Sequence, residues 1–171
     1  MENREPEKEG GLKNKYRMLA VVSGAVILAD QLTKMLVEKM LALHQSIEVI
    51  PGFFSLTHIL NPGGAFGFLA GQSASVRRLV FLGATLGAIG LILYLYRKTP
   101  PTHTWLLAGF GLIFGGAAGN LIDRIRMGKV VDFLDFYIES LHWPAFNVAD
   151  SAVSIGVAIF LFHLILNKLP D

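Results

Sequence analysis

Three stretches of this chain, residues 79–96, 99–122 and 151–167, contain no Asp, Glu, Lys or Arg. Uncharged apolar runs of about 17–25 residues match the hydrocarbon core of a bilayer, roughly 30 Å thick, when wound as helices. The whole chain agrees: 53% of its residues are hydrophobic and 16% charged, against about 25% charged in a soluble domain. An ordinary soluble globular domain is thereby excluded. So is a nucleic-acid binder, because a net charge of +2 supplies no broad basic surface.

A fourth apolar stretch, residues 18–37, carries Asp30, Gln31 and Lys34 in its second half. Its uninterrupted part, 18–29, has the length of a signal-peptide core. The polar residues that follow do not resemble an A-x-A cleavage site, so a retained span is expected. The 171 residues then read as one α-helical membrane domain with spans at about 18–37, 78–96, 104–122 and 150–167, preceded by a flexible polar tail over 1–15. Between spans one and two, residues 47–60 are rich in β-branched and aromatic side chains around a Pro-Gly pair. That pattern predicts short strands with a turn, lying at the membrane surface. Residues 123–149 form a second long connection, with Tyr137, Trp143 and Phe146 as interfacial aromatics.

Four spans put both termini on one side. That side carries Arg4, Lys8, Lys13, Lys15 and Arg17, then Arg97 and Lys98 in a short connection, and Lys168. Lys39, Arg77, Arg78, Arg124, Arg126 and Lys129 fall on the other side, spread over two much longer loops. The positive-inside bias predicts cytoplasmic termini and outer loops.

The chain has no cysteine. Disulfides, thiolate nucleophiles and Cys-type zinc sites are excluded together. The five histidines, His44, His58, His103, His142 and His163, have no metal-ligand spacing. Chemistry is left to carboxylates, amides and hydroxyls.

In the expected topology Asp30, Asp123 and Asp150 lie at one depth. Carboxylates at membrane depth are costly and face a bundle interior or a wet cavity. Gly111, Gly115, Gly119 and Asp123 recur at intervals of four, a small-residue stripe of the kind that lets membrane helices approach closely. Asp150, Ser154 and Ala158 suggest a second stripe, and Ser23, Asp30 and Lys34 share one side of span one. Asn120 precedes Asp123 by three residues, as Asn147 precedes Asp150, so on a helix each amide neighbours its acid. Two carboxylates held close share a proton, one serving as base on a water and the other polarising a carbonyl. By the helix macrodipole, Asp150 at a helix start is expected to be the base and Asp123 at a helix end the protonated partner; Arg124, beside Asp123, opposes that assignment. Two other readings stay open on the residues alone. One is a small proton or ion translocator, although a relay prefers acids spread through the membrane depth. The other is a non-catalytic assembly protein built on the glycine stripe.

Five segments carry a resemblance: Asp30-Gln-Leu-Thr-Lys34, Asn61-Pro-Gly-Gly-Ala-Phe66, Gly119-Asn-Leu-Ile-Asp-Arg124, Val130-Val-Asp-Phe133 and Phe146-Asn-Val-Ala-Asp150. In this order the chain resembles the lipoprotein signal peptidases (signal peptidase II) of bacterial inner membranes. The resemblance implies four transmembrane helices with a small extracytoplasmic β-sheet and a surface helix. It implies an aspartic endopeptidase with Asp123 and Asp150 as the catalytic pair, and no metal or organic cofactor is expected on that resemblance. Asn61, Gly63, Asn120, Arg124 and Asn147 would hold substrate or orient that pair. Asp30 and Lys34 would support the site, and Asp132 would either be structural or line the cleft. The implied substrate is a prolipoprotein bearing diacylglycerol on its lipobox cysteine, cut on the N-terminal side of that cysteine, and the implied inhibitor is the cyclic peptide globomycin.

Overall fold

The structure, a computed structural model, describes residues 4–63 and 71–166. Gly64, Ala65 and Phe66 of the segment that starts at Asn61, and Lys168 of the tail, lie outside the described residues. The elements in chain order are α1 (Arg4–Met40), β1 (Ser46–Ile50), β2 (Phe54–Asn61), α2 (Ala74–Lys98), α3 (Thr104–Met127), β3 (Val130–Ile138), β4 (Leu141–His142) and α4 (Val148–Ile165). All four helices have the length and hydropathy to cross a membrane. On α2 only Ile92 and Tyr96 are buried, while Leu79, Leu86 and Leu91 are exposed, as suits a helix whose surroundings are lipid.

α3 is the central helix, and its glycines explain why. A Cβ on Gly111 would lie 3.1 Å from Val22, one on Gly115 3.0 Å from the backbone of Ser23, and one on Gly119 2.6 Å from Asp30 Oδ2. The stripe read from the sequence therefore seats α1. A second glycine face, Gly109 and Gly116, meets α4 at Gly156, Ala149 and Val153. The expected stripe on α4 is corrected: its buried residues are Ala149, Ala152 and Gly156, and Ser154 and Ala158 are exposed. The packing face is the one that meets the α3 glycines, one residue round from the acid.

Two boundaries also differ from expectation. α1 begins at Arg4, so most of the polar stretch expected to be a flexible tail is helical. Lys15, only 4% exposed, supplies a reason: its Nζ donates to the carbonyls of Arg97 (3.1 Å) and Thr99 (2.7 Å) at the end of α2, and Tyr96 Oη donates to its carbonyl. α2 begins at Ala74, four residues before the expected start, because Ser73 caps it by accepting from Val76 N.

At one end of the bundle the strands form a single antiparallel sheet in the order β1-β2-β3-β4. The β1–β2 hairpin turns at Gly52, whose φ of +73° suits glycine. The strands expected over 47–60 are present, and β3 lies within the second long connection, 123–149, for which the sequence predicts no strand. The surface helix implied by the resemblance does not occur among the described residues. Val131 and Phe133 turn to one side and pack with Val37 and Leu41 of α1. The β2–β3 register pairs Ile59 with Asp132 and Asn61 with Val130, after an irregularity between Leu56 and Ile59. That register carries an aspartate of β3 to the end of the helix bundle.

Candidate active site

Four aspartates meet where α1, α3, β3 and the start of α4 converge, and their contacts divide them into two pairs. Asp30 and Asp123 belong to Lys34. Its Nζ donates to Asp30 Oδ2 at 2.8 Å, Asp123 Oδ2 at 2.9 Å and Asn120 Oδ1 at 2.9 Å, which spends all three of its protons. Gln31 Nε2 adds contacts to Asp30 Oδ2, to Asp123 Oδ1 and to the Gly119 carbonyl. The remaining bonds are structural. Asp30 Oδ1 accepts from Ala149 N, one of the first amides of α4. Asp123 Oδ2 accepts from Val131 N, which ties the end of α3 to β3. Asp30 and Asp123 are almost wholly buried, at 0% and 1% exposure, as is Asp132 at 2%, so their contacts and not their burial separate the acids.

Asp132 and Asp150 form no salt bridge among the described residues; amides hold them. Asn61 Nδ2 donates to Asp132 Oδ2 at 2.9 Å, and Asn147 Nδ2 to Asp132 Oδ1 at 2.7 Å. Asn120 Nδ2 donates to Asp150 Oδ1 at 2.8 Å. Asn147 is also the N-cap of α4: its side chain accepts from Asp150 N, and Asp150 Oδ2 accepts from Asn147 N, forming a reciprocal capping box. One asparagine thus fixes both acids. Asn120 links the two halves, since its Oδ1 accepts from Lys34 and Asn147 while its Nδ2 serves Asp150. Burial pushes Asp132 up to about 6, and the charge of Asp150 adds to that, against the lowering effect of the two amides. Asp150 is only part-buried, so whatever access this pair has is at Asp150.

The pairing expected from the sequence, Asp123 with Asp150, is therefore not a direct one. Lys34 and Asn120 stand between the two residues, and no hydrogen bond joins them among the described residues. Asp123, expected as the proton-bearing partner, lies 2.9 Å from the Lys34 ammonium. A full ammonium charge is worth about 4 kcal/mol at 4 Å in an effective dielectric near 20. A helix terminus contributes about 0.3–1 kcal/mol, so the lysine dominates and Asp123 is a salt-bridge carboxylate.

The other expected residues fall round this cluster. Gly63, with φ of +91°, donates its N–H to Asn61 Oδ1 at 2.8 Å and orients that side chain. A Cβ there would also meet the Phe81 ring at 2.4–2.9 Å. Arg124 Nη1 donates to Thr85 Oγ1 at 3.3 Å, and its charge acts on Asp150, Asp132 and Asp123. Sequence reasoning missed Gln31 and Thr85 as members of the network. A glutamine inside an apolar span was the available signal for the first; a threonine on a lipid-facing helix offered none.

The sequence profile of the family described as Signal peptidase (SPase) II matches residues 22–166. A lipoprotein signal peptidase of Desulforapulum autotrophicum is 57% identical over 153 residues, 90% of this chain and 94% of that protein. Its counterpart from Syntrophus aciditrophicus is 47% identical, covering 90% of this chain and 96% of that protein. A solved bacterial membrane enzyme is 32% identical, with a TM-score of 0.77 over 88% of both chains. A second superposes with a TM-score of 0.75 at 31% identity, over 85% of this chain and 91% of its own. Four apolar spans, the end-on sheet and these likenesses together make this a multi-pass membrane protein belonging to the signal peptidase II family.

Proposed function

We propose that this chain is an aspartic endopeptidase that removes signal peptides from diacylglyceryl-modified prolipoproteins, with Asp132 and Asp150 as its reacting pair. The observation that carries the choice of residues is the division of the four acids: two are salt-bridged to Lys34, and two are hydrogen-bonded by amides, with Lys34 and Arg124 acting on them only at a distance. Only the second pair has a reason to share a proton.

The mechanism follows from the contacts. Asp132 keeps a proton to higher pH than an ordinary carboxyl, so it donates a hydrogen bond to the scissile carbonyl. Asp150, at the positive end of α4, is the base that takes a proton from the attacking water. As the tetrahedral intermediate collapses, Asp150 returns that proton to the leaving amine. Asn120 and Asn147 hold the two carboxyls at fixed angles throughout, which removes reorientation from the barrier. Arg124, tethered by Thr85, offsets the negative charge of the cluster. No metal is needed to activate the water, because the carboxylate base does so.

A lipid-bearing cysteine rests at the bilayer surface, and the acid pair sits at a helix end beside the sheet, at that depth. With the termini in the cytoplasm, as the charge bias favours, the site opens on the outer face of the inner membrane. Globomycin, a cyclic peptide, would compete for the same cleft. A translocator is not favoured, since the acids gather at one end of the bundle and do not form a path across it.

The test is cleavage of a diacylglyceryl prolipoprotein by the purified protein in lipid. Asp132→Asn and Asp150→Asn should each remain folded and cut nothing detectable. Undiminished cutting by Asp132→Asn would remove Asp132 from the pair and return the choice to Asp123.

A further inference from the structure

We infer that the cavity between the start of α2 and the end of α3 is a binding site for the phosphate of an anionic phospholipid. It encloses about 200 Å³, and its lining includes Arg77, Arg78 and Lys129 together with Pro62, Ser75 and Gly128. No carboxylate lines it, and the first turn of α2 holds no acidic residue. None of the three cations forms a salt bridge among the described residues.

Two details show that these side chains are arranged and not merely solvated. Arg78 Nη2 donates to the Ile125 carbonyl at 2.9 Å, and its stem crosses Gly128, where a Cβ would lie 3.6 Å from Arg78 Cδ. Arg77 Nε is buried and has no hydrogen-bond partner among the described residues. A charged donor withdrawn from water without an acceptor is costly, and a phosphate oxygen in this cavity would satisfy it. Guanidinium groups match phosphate geometry through paired N–H donors.

The depth selects the ligand. α2 begins and α3 ends here, and both are long enough to span, so the cavity opens at the level of lipid headgroups. Basic pockets between membrane helices bind anionic headgroups on the cytoplasmic side, and the same donor chemistry at headgroup level serves an outer-leaflet phosphate here. The location also gives binding a consequence. Lys129 precedes Val130, the first residue of the strand that bears Asp132, and Pro62 follows Asn61, whose amide holds Asp132 at 2.9 Å. A phosphate bridging Lys129 and Arg77 would pin both chain segments that position that acid. Anionic lipid therefore raises the cleavage rate, a consequence that rests on the activity proposed above; the binding itself does not.

The experiment places the full chain in nanodiscs of phosphatidylcholine alone or mixed with phosphatidylglycerol, and counts retained lipid by native mass spectrometry alongside the cleavage rate. Wild type should retain phosphatidylglycerol. Lys129→Gln and Arg77→Gln should each lower its affinity about fivefold, the worth of one basic residue at an anionic surface. Arg77→Lys, which keeps the charge but not the paired N–H donors, should lose less affinity than Arg77→Gln, and Lys98→Gln, at the other end of the bundle, should change nothing. Equal retention of the two lipids, or retention undiminished in Lys129→Gln and Arg77→Gln, overturns the site. Displacement of the lipid by inorganic phosphate at low concentration overturns the lipid assignment in favour of a free anion. Absence of cleavage in every lipid would count against the proposed activity and leave the binding result to be judged by itself.

Discussion

Two lysines of α1 are almost wholly buried, Lys15 at 4% and Lys34 at 2% exposure, and they do opposite things. Lys34 meets two carboxylates and an amide oxygen. Lys15 meets two backbone carbonyls at the end of α2 and lies over the ring of Tyr96. At one end of the bundle a buried cation neutralises acids, so that other acids nearby are left without one. At the opposite end a buried cation closes the last turn of a neighbouring helix, where its charge suits the negative end of the dipole. The lesson is that a charge buried in a membrane helix does not by itself mark chemistry; what it faces decides.

The sharpest way to break this contrast is at the acids Lys34 leaves free. Asp150→Asn and Asp132→Asn should each lower kcat/KM by at least about 10²–10⁴-fold, the usual worth of a positioned acid or base. The pH profile gives a second check on the same pair. Because Asp132 is pushed up to about 6, the alkaline limb of kcat/KM, where the pair loses its shared proton, should lie no lower than about 6. An alkaline limb near 4 would mean that Asp132 does not carry that proton. The stability term has the same origin. Between 3.8 and about 6 the folded state binds more protons at Asp132 than the unfolded chain, so this residue's contribution to stability declines as pH rises through that window and is flat above it. Comparing wild type with Asp132→Asn isolates that decline.

Next in size is Lys34→Met. It strands Asp30 and Asp123 without their cation, and breaking a buried ion pair in this way costs about 3–5 kcal/mol. The variant should melt far below wild type, or fail to fold, before any question of catalysis arises. A Lys34→Met protein as stable as wild type would show that the ion pairs hold nothing together.

Much of this was legible in the sequence, and the failures have one cause. The spans were readable because an uncharged run of bilayer length has few other meanings, and the α3 glycine stripe was readable because its period is that of a helix. Asp123 and Asp150 looked like partners for the same reason: each follows an asparagine by three residues. But helical spacing reports neighbours within one element. The proximity of Asp132 to Asp150 is set by the β2–β3 register and by Asn147, which bonds Asp132 while capping α4. Nothing local in residues 130–138 announces it, and an aspartate in an apolar strand reads equally as structural. The polar start of α1 was misjudged for a similar reason, since Lys15 finds its partners 82 and 84 residues away.

Gly119 offers a finer probe of the end where α1, α3 and α4 meet. An alanine Cβ there would lie 2.6 Å from Asp30 Oδ2, so Asp30 must move, and with it the bonds to Lys34 and Ala149 N. Gly119→Ala should cost about 1–3 kcal/mol, as overpacking does, and should lower activity by shifting the start of α4. Gly24→Ala is the control: nothing lies within 4 Å of its Cβ position, and the change should be neutral or slightly stabilising. If the two substitutions behave alike, close packing of α3 on α1 is not what positions Asp30.

The smallest effect expected is also the one that completes the contrast between the lysines. Lys15→Met removes the donor to the Arg97 and Thr99 carbonyls but strands no opposite charge. Arg97 is exposed, so water can replace the ammonium at its carbonyl, the Thr99 carbonyl is buried, and the methionine occupies much of the space of the lysine stem. Net loss of a hydrogen bond of this kind is worth about 1 kcal/mol, so the melting temperature should fall slightly and cleavage should be unchanged. A large loss of stability would mean that Lys15 is as firmly bound into its surroundings as Lys34. Loss of cleavage at unchanged stability would be more damaging, because it would connect the two ends of α1 functionally and remove the reason for treating one buried lysine as part of the site and the other as a helix cap.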